Sequence, residues 1–320
     1  MEISRLWAAM LTRNVNNAGT NHRIVLVINA NGQDLLNHEF VDTTQKDQEQ
    51  AQANLYEVNV RGKGIDPAEL NNSSIRVGIL GSDAWRAEHF MLWGERLSPF
   101  FDAEVIPLAL ETGIPTQIST DDDEGPSSFP LRLVGKGNRD MAINRIFLLF
   151  TTAGQLEDDD LGAEGLAPQG TDSPIEIQIV SDGRLVVLSE IRDTHQDDAE
   201  LGGANFYSAP VITPFTRRAL QDRSITLRVK GLDSWEPASL FLFGLDDAAG
   251  RPESLVPLVH LPRWPFGLLE ADTSTGVATV TLPLVPDHSF PGNGEVVHAL
   301  ESIASGQNRI IEMLQTLAAR

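Results

Sequence analysis

Apolar and polar residues alternate repeatedly along the chain. Ile175-Glu176-Ile177-Gln178-Ile179 alternates cleanly, as do Ile75-Arg76-Val77-Gly78-Ile79 and Ser224 to Val229. A period of two puts successive side chains on opposite faces of an extended strand. Ile24-Val25-Leu26-Val27-Ile28 is apolar throughout and reads as a strand with one face in a core and the other partly covered. Phe129 to Val134 adds a further strand. Gly, Asn, Asp and Pro separate these runs, as turns require. Asn31-Gly32 and Asp182-Gly183 predict tight hairpin turns, because both central residues of a type I′ turn need positive φ. Long helical patterns do not separate the strands. The expected fold is therefore all-β, with antiparallel sandwiches of about eight strands.

The period changes after Pro291-Gly292-Asn293-Gly294. Val297, Leu300, Ile303, Ala304, Ile310, Ile311, Leu314 and Leu317 recur at spacings of three, four and seven. That spacing predicts an amphipathic helix, interrupted near Ser305-Gly306. Its apolar stripe needs a cover. The candidates are its own sandwich, a second copy in a short bundle, or another protein.

The strand pattern occurs twice. Ile3-Ser4-Arg5-Leu6 resembles Ile143-Asn144-Arg145-Ile146, and Gly19-Thr20 recurs as Gly170-Thr171. Between 42–56 and 193–207, 8 of 15 aligned positions are identical: Asp, Thr, Gln, Asp, Glu, Ala, Asn and Tyr. Average residue usage would supply about one by chance. Ile75, Gly81, Asp83, Trp85 and Gly94 match Ile225, Gly231, Asp233, Trp235 and Gly244, and Pro107-Leu108 match Pro257-Leu258. The expected organisation is a first sandwich over 1–137, a second over 138–288 and a helical tail over 289–320. The acidic run from Glu157 to Glu164 is extra to the second copy and belongs on a surface loop.

Charge and composition narrow the function. Lys+Arg total 24 against 45 Asp+Glu, giving a net charge of -21. Such a chain repels nucleic-acid phosphates and anionic lipid unless cations intervene. With no cysteine, disulfides, thiol catalysis and Cys-ligated zinc are excluded. Met1 to Leu11 carries Glu2 and Arg5 and lacks a small-residue cleavage pattern, so it does not read as a signal peptide. No stretch reaches the roughly 18 apolar residues that span a bilayer. Cytoplasmic residence is the default expectation, and export by a leaderless route would leave no trace in the sequence.

The motifs resemble the PLAT family of β-sandwiches, found in lipoxygenases, lipases, polycystins and clostridial alpha-toxin. Ala18-Gly19-Thr20-Asn21 and Gln169-Gly170-Thr171-Asp172 resemble its glycine turn. Asn54-Leu55-Tyr56 and Asn205-Phe206-Tyr207 resemble its aromatic strand. Gly81-Ser82-Asp83-Ala84-Trp85 and Gly231-Leu232-Asp233-Ser234-Trp235 resemble its Trp loop. The resemblance covers about 75 to 100 residues of each copy, a usual sandwich length. It implies a lipid or protein partner and, in some members, calcium held by the turn aspartate and nearby acidic loops. In the second copy those residues are Asp172, Asp193, Asp198 and Asp233. The first copy has Asn21 in place of Asp172, one charge fewer, so a site there is weaker. The alternative is that these aspartates accept hydrogen bonds from their own turns.

Trp85 and Trp235 are expected beneath the end of each sandwich, with exposure at a loop tip as the alternative. Trp264 and Phe266 have no aromatic counterpart in the first copy and form a candidate contact for a partner. His195 lies in the repeated acidic block beside Asp193 and Asp198, where it reads as a surface loop histidine, with a base or metal ligand as the alternative. No H-E-x-x-H or G-x-S-x-G spacing occurs. The favoured reading is a non-catalytic binding or scaffolding protein that engages a protein, lipid or glycan partner. A shell, tail or filament subunit joined through Leu300, Ile303, Ile310, Leu314 and Leu317 is the alternative. A hydrolase or lyase using loop carboxylates ranks third.

Overall fold

The computed structural model describes residues 2–40, 48–97, 103–114, 117–153, 171–192, 203–231, 233–247, 254–270 and 276–286. Residues Met1–Val285 form one compact unit, and Pro286–Arg320 a separate one. The expected tail helix lies outside the described residues. The described residues are all-β, with two short 3-10 turns at Pro67–Glu69 and Arg217–Ala219. No helix among them is long and apolar enough to cross a membrane.

The first half of the β unit contains β1 (Arg5–Thr12), β2 (Arg23–Ala30), β3 (Gln33–Phe40), β4 (Ala53–Asn59), β5 (Ile75–Leu80), β6 (Ala84–Trp85), β7 (Ala87–Arg96), β8 (Glu104–Thr112), β9 (Ile118–Ser119) and β10 (Ser128–Pro130). A short strand, β11 (Gly135–Lys136), follows. The second half contains β12 (Ile143–Thr152), β13 (Ile175–Ser181), β14 (Arg184–Ile191), β15 (Ala204–Phe215), β16 (Ile225–Val229), β17 (Ser234–Trp235), β18 (Pro237–Leu245), β19 (Ser254–Leu261), β20 (Leu269–Glu270) and β21 (Thr279–Thr281).

Two small sheets, β10-β5-β2-β3 and β14-β13-β16-β21, accompany one nine-stranded sheet, β11-β19-β18-β12-β15-β4-β1-β7-β8. Pairings in the first half recur in the second. β1 lies between β4 and β7 with a register shift at Leu11/Thr12, and β12 lies between β15 and β18 with one at Thr151/Thr152. β7 and β8 shift at Leu92/Trp93, as β18 and β19 do at Leu242/Phe243. Both predicted hairpin turns have the required backbone: φ is 54° and 77° at Asn31 and Gly32, and 49° and 74° at Asp182 and Gly183.

The large sheet is buried on both faces. Leu6, Ala8 and Met10 of β1 enter a first core with the β2, β3 and β5 side chains. Ile146, Leu148 and Phe150 of β12 enter a second core with β13, β14 and β16. The intervening residues, Trp7 and Ala9, and Phe147 and Leu149, meet in a third core between the halves. A strand covered on both faces has no polar side to show, so these segments lose the alternation that marks the small sheets. They are nearly continuous apolar runs in the sequence.

One segment joins the ends of the large sheet. Leu110 donates its amide to the Arg132 carbonyl (3.2 Å), and Val134 donates to Leu108 (3.0 Å). At the next residue the chain pairs in parallel with β19, Gly135 against Ser254. Residues 131–137 therefore bridge β8 and β19, which would otherwise be free edges. The expected continuous strand from Phe129 to Val134 is in fact two pieces. Phe129 pairs with Val77 in the small sheet, and Leu133 bridges Ala109 in the large one. Pro130, which lacks an amide proton, stands at the crossing.

Trp85 and Trp235 are fully buried. Their indole N–H groups donate to Thr12 Oγ1 (2.9 Å) and Thr152 Oγ1 (3.0 Å). Removing either hydroxyl strands a buried donor, which costs about 1–3 kcal/mol. Thr12→Val and Thr152→Val are each expected to lower the urea midpoint with an unchanged slope. A midpoint equal to that of the natural chain would contradict this account of the Trp anchors.

Candidate functional site

The aspartates flagged in the sequence separate into two groups. Asp193 and Asp198 lie outside the described residues, as does His195. Asp172 and Asp233 come together: the Asp172 amide donates to Asp233 Oδ2 (3.1 Å), and the Ser234 amide donates to Asp233 Oδ1 (2.8 Å). Asp83 performs the same task in the first half, accepting from the Thr20 hydroxyl (3.0 Å) and the Ala84 amide (2.8 Å). Burial works to raise the Asp83 carboxyl, but hydrogen bonds from Ala84, Thr20 and Asn21 outweigh it and hold the group below its ordinary range. Asp83 and Asp233 thus close the turn that precedes each buried Trp. Among the described residues no three His, Asp or Glu side chains gather as a metal site.

Trp264 and Phe266 pack against each other edge to face, 4.9 Å apart. Both are half-buried on the second core. The Trp264 indole donates to the Gly267 carbonyl (2.7 Å), and its amide donates to Ala238 (2.8 Å). Each ring thus keeps part of its surface open to solvent while the rest lies on the second core. Leu300, Ile303, Ile310, Leu314 and Leu317 lie outside the described residues.

The most distinctive polar cluster is in the third core. Trp7, Trp93 and Phe241 surround it, with Trp7 4.9 Å and Trp93 5.1 Å from Phe241. Glu95, at the end of β7, projects into this apolar seam with its side chain 3% exposed. Glu95 Oε1 accepts from the Trp7 indole at 2.7 Å and lies 2.7 Å from His260 Nε2 on β19. Arg5 reaches Glu95 Oε2 at 3.5 Å. Burial pushes the Glu95 carboxyl up, but the His260 hydrogen bond and charge, the Trp7 donor and Arg5 together hold it below its usual value. His260 is 7% exposed, and its Nδ1 has no hydrogen-bond partner among the described residues.

This cluster breaks the likeness of the halves. At the matching register positions Trp7 corresponds to Phe147, Glu95 to Leu245 and His260 to Leu110. Phe147, Leu245 and Leu110 are all buried in the same seam. Glu95 and His260 thus place a hydrogen-bonded polar pair in the seam at positions where the matching residues of the other half are leucines. The first half supplies the carboxylate and the second the imidazole. Removing one partner strands a buried polar group of the other, whereas replacing both with apolar groups of similar shape can be nearly neutral. The pair therefore fastens one half to the other in a single register.

The sequence reading missed Glu95 and His260. Both stand in apolar runs, where a lone charged residue carries no spacing motif. A signal was present in the alignment, where Glu95 and His260 each oppose a leucine in the other half.

A second histidine lies in the seam. His89 packs against Phe147 (6.0 Å) and Phe206 (5.5 Å). Burial lowers its pKa, against an opposing pull from Glu88, with Arg145 and Arg13 reinforcing the lowering. The folded state therefore favours the neutral ring. Stability is lost as pH falls below the ordinary histidine value of 6.5, where the unfolded chain gains a proton more readily. Glu95 adds to the loss at lower pH, because its folded pKa lies below 4.5 and its contribution vanishes as pH falls through that depressed value.

Glu95→Leu and His260→Leu are each expected to cost about 1–3 kcal/mol, the penalty of a stranded buried hydrogen-bonding group, and the double variant to recover most of that loss. Additive losses in urea unfolding would contradict the pairing. His89→Gln is expected to flatten the fall in melting temperature just below pH 6.5, and an unchanged pH profile would count against the role of His89. No family model matches the chain, and no curated protein and no solved structure matches it.

Proposed function

We propose that the chain is a non-catalytic binding or scaffolding protein built from two copies of one antiparallel β-sandwich. The supporting sequence observation is the identity of 8 of 15 residues between 42–56 and 193–207. The matching register shifts at 92/93 and 242/243 support it further. Calling the copies PLAT-like rests on their turn, aromatic-strand and Trp-loop motifs.

The observation that carries the functional reading is the sheet shared by both halves. A flexible pair of domains can spread its binding sites. Two sandwiches fastened back to back hold their outer sheets at a fixed separation. Two similar surfaces on a rigid body raise apparent affinity for a repeated or extended partner through effective concentration. The net charge of -21 favours a protein or glycan over unaided binding to anionic lipid. Calcium enters this reading in the second copy alone, where Asp172 and Asp233 already adjoin. A bound cation there would also bring lipid within reach.

A second reading has its own support. The chain divides at Val285, and the residues beyond it form a separate unit. With the apolar stripe from Leu300 to Leu317, this favours a structural subunit joined through its tail.

Light scattering on the full chain and on a chain ending at Pro286 separates the readings. The binding reading predicts that truncation does not dissolve a large assembly. Large particles that vanish on truncation would overturn it in favour of the subunit. Thermal melting with millimolar calcium tests the ion: binding raises the midpoint, and an unmoved midpoint removes calcium from the account.

A further inference from the structure

We draw no further inference here: the strongest candidate, the exposed apolar patch of Val180, Leu185 and Leu188 on the outer face of the β14-β13-β16-β21 sheet, carries no proposal because nothing in the structure shows what covers it.

Discussion

The large sheet must be covered on both faces, and the rest of the β unit follows from that constraint. Each half has one four-stranded sheet, which covers one face of its share of the large sheet. The other face carries Trp7, Met91, Trp93, Phe147, Phe241 and Phe243. Fully burying one large apolar side chain is worth about 1.5–3 kcal/mol. Six such side chains far outweigh the about 1.5–3 kcal/mol net contribution of one hydrogen bond to a charged group. The aromatic seam thus supplies the attraction between the halves. Glu95 and His260 fix which surfaces meet and in what register.

The same balance explains the asymmetry of the seam. If two first halves were to meet through this face, Glu95 would oppose Leu110 and lack its imidazole. Two second halves would oppose His260 to Leu245. Only the pairing of unlike halves satisfies both groups, and the bridge over residues 131–137 makes that pairing local. The Glu95–His260 pair therefore acts as a specificity device, although it adds little net stability.

The all-β class was legible because the small sheets are half-exposed and keep a period of two. Ile175 to Ile179, Ile75 to Ile79 and Ser224 to Val229 are strands where the alternation placed them, apart from a residue at an end. The hairpin turns were legible from Asn31-Gly32 and Asp182-Gly183, since few residues accept φ near 50°. The large-sheet strands were hidden for a physical reason. With both faces buried, Phe147 to Phe150 and Phe90 to Trp93 carry no polar phase, and a continuous apolar run does not distinguish strand from buried helix. The seam cluster was hidden because its partners, Glu95 and His260, are 165 residues apart. Asp83 and Asp233 accept hydrogen bonds within their own turns, which the sequence offered as the alternative to calcium.

The account stands or falls on the two halves acting as one body. Residue-resolved native-state hydrogen exchange tests this most directly, because it measures the opening free energy of each strand separately. If the third core joins the halves, the slowest amides of β1 and β7 and those of β12 and β18 should exchange with one shared free energy, since opening either half exposes the seam. Two well-separated values, with one half opening while the other stays closed, would contradict it.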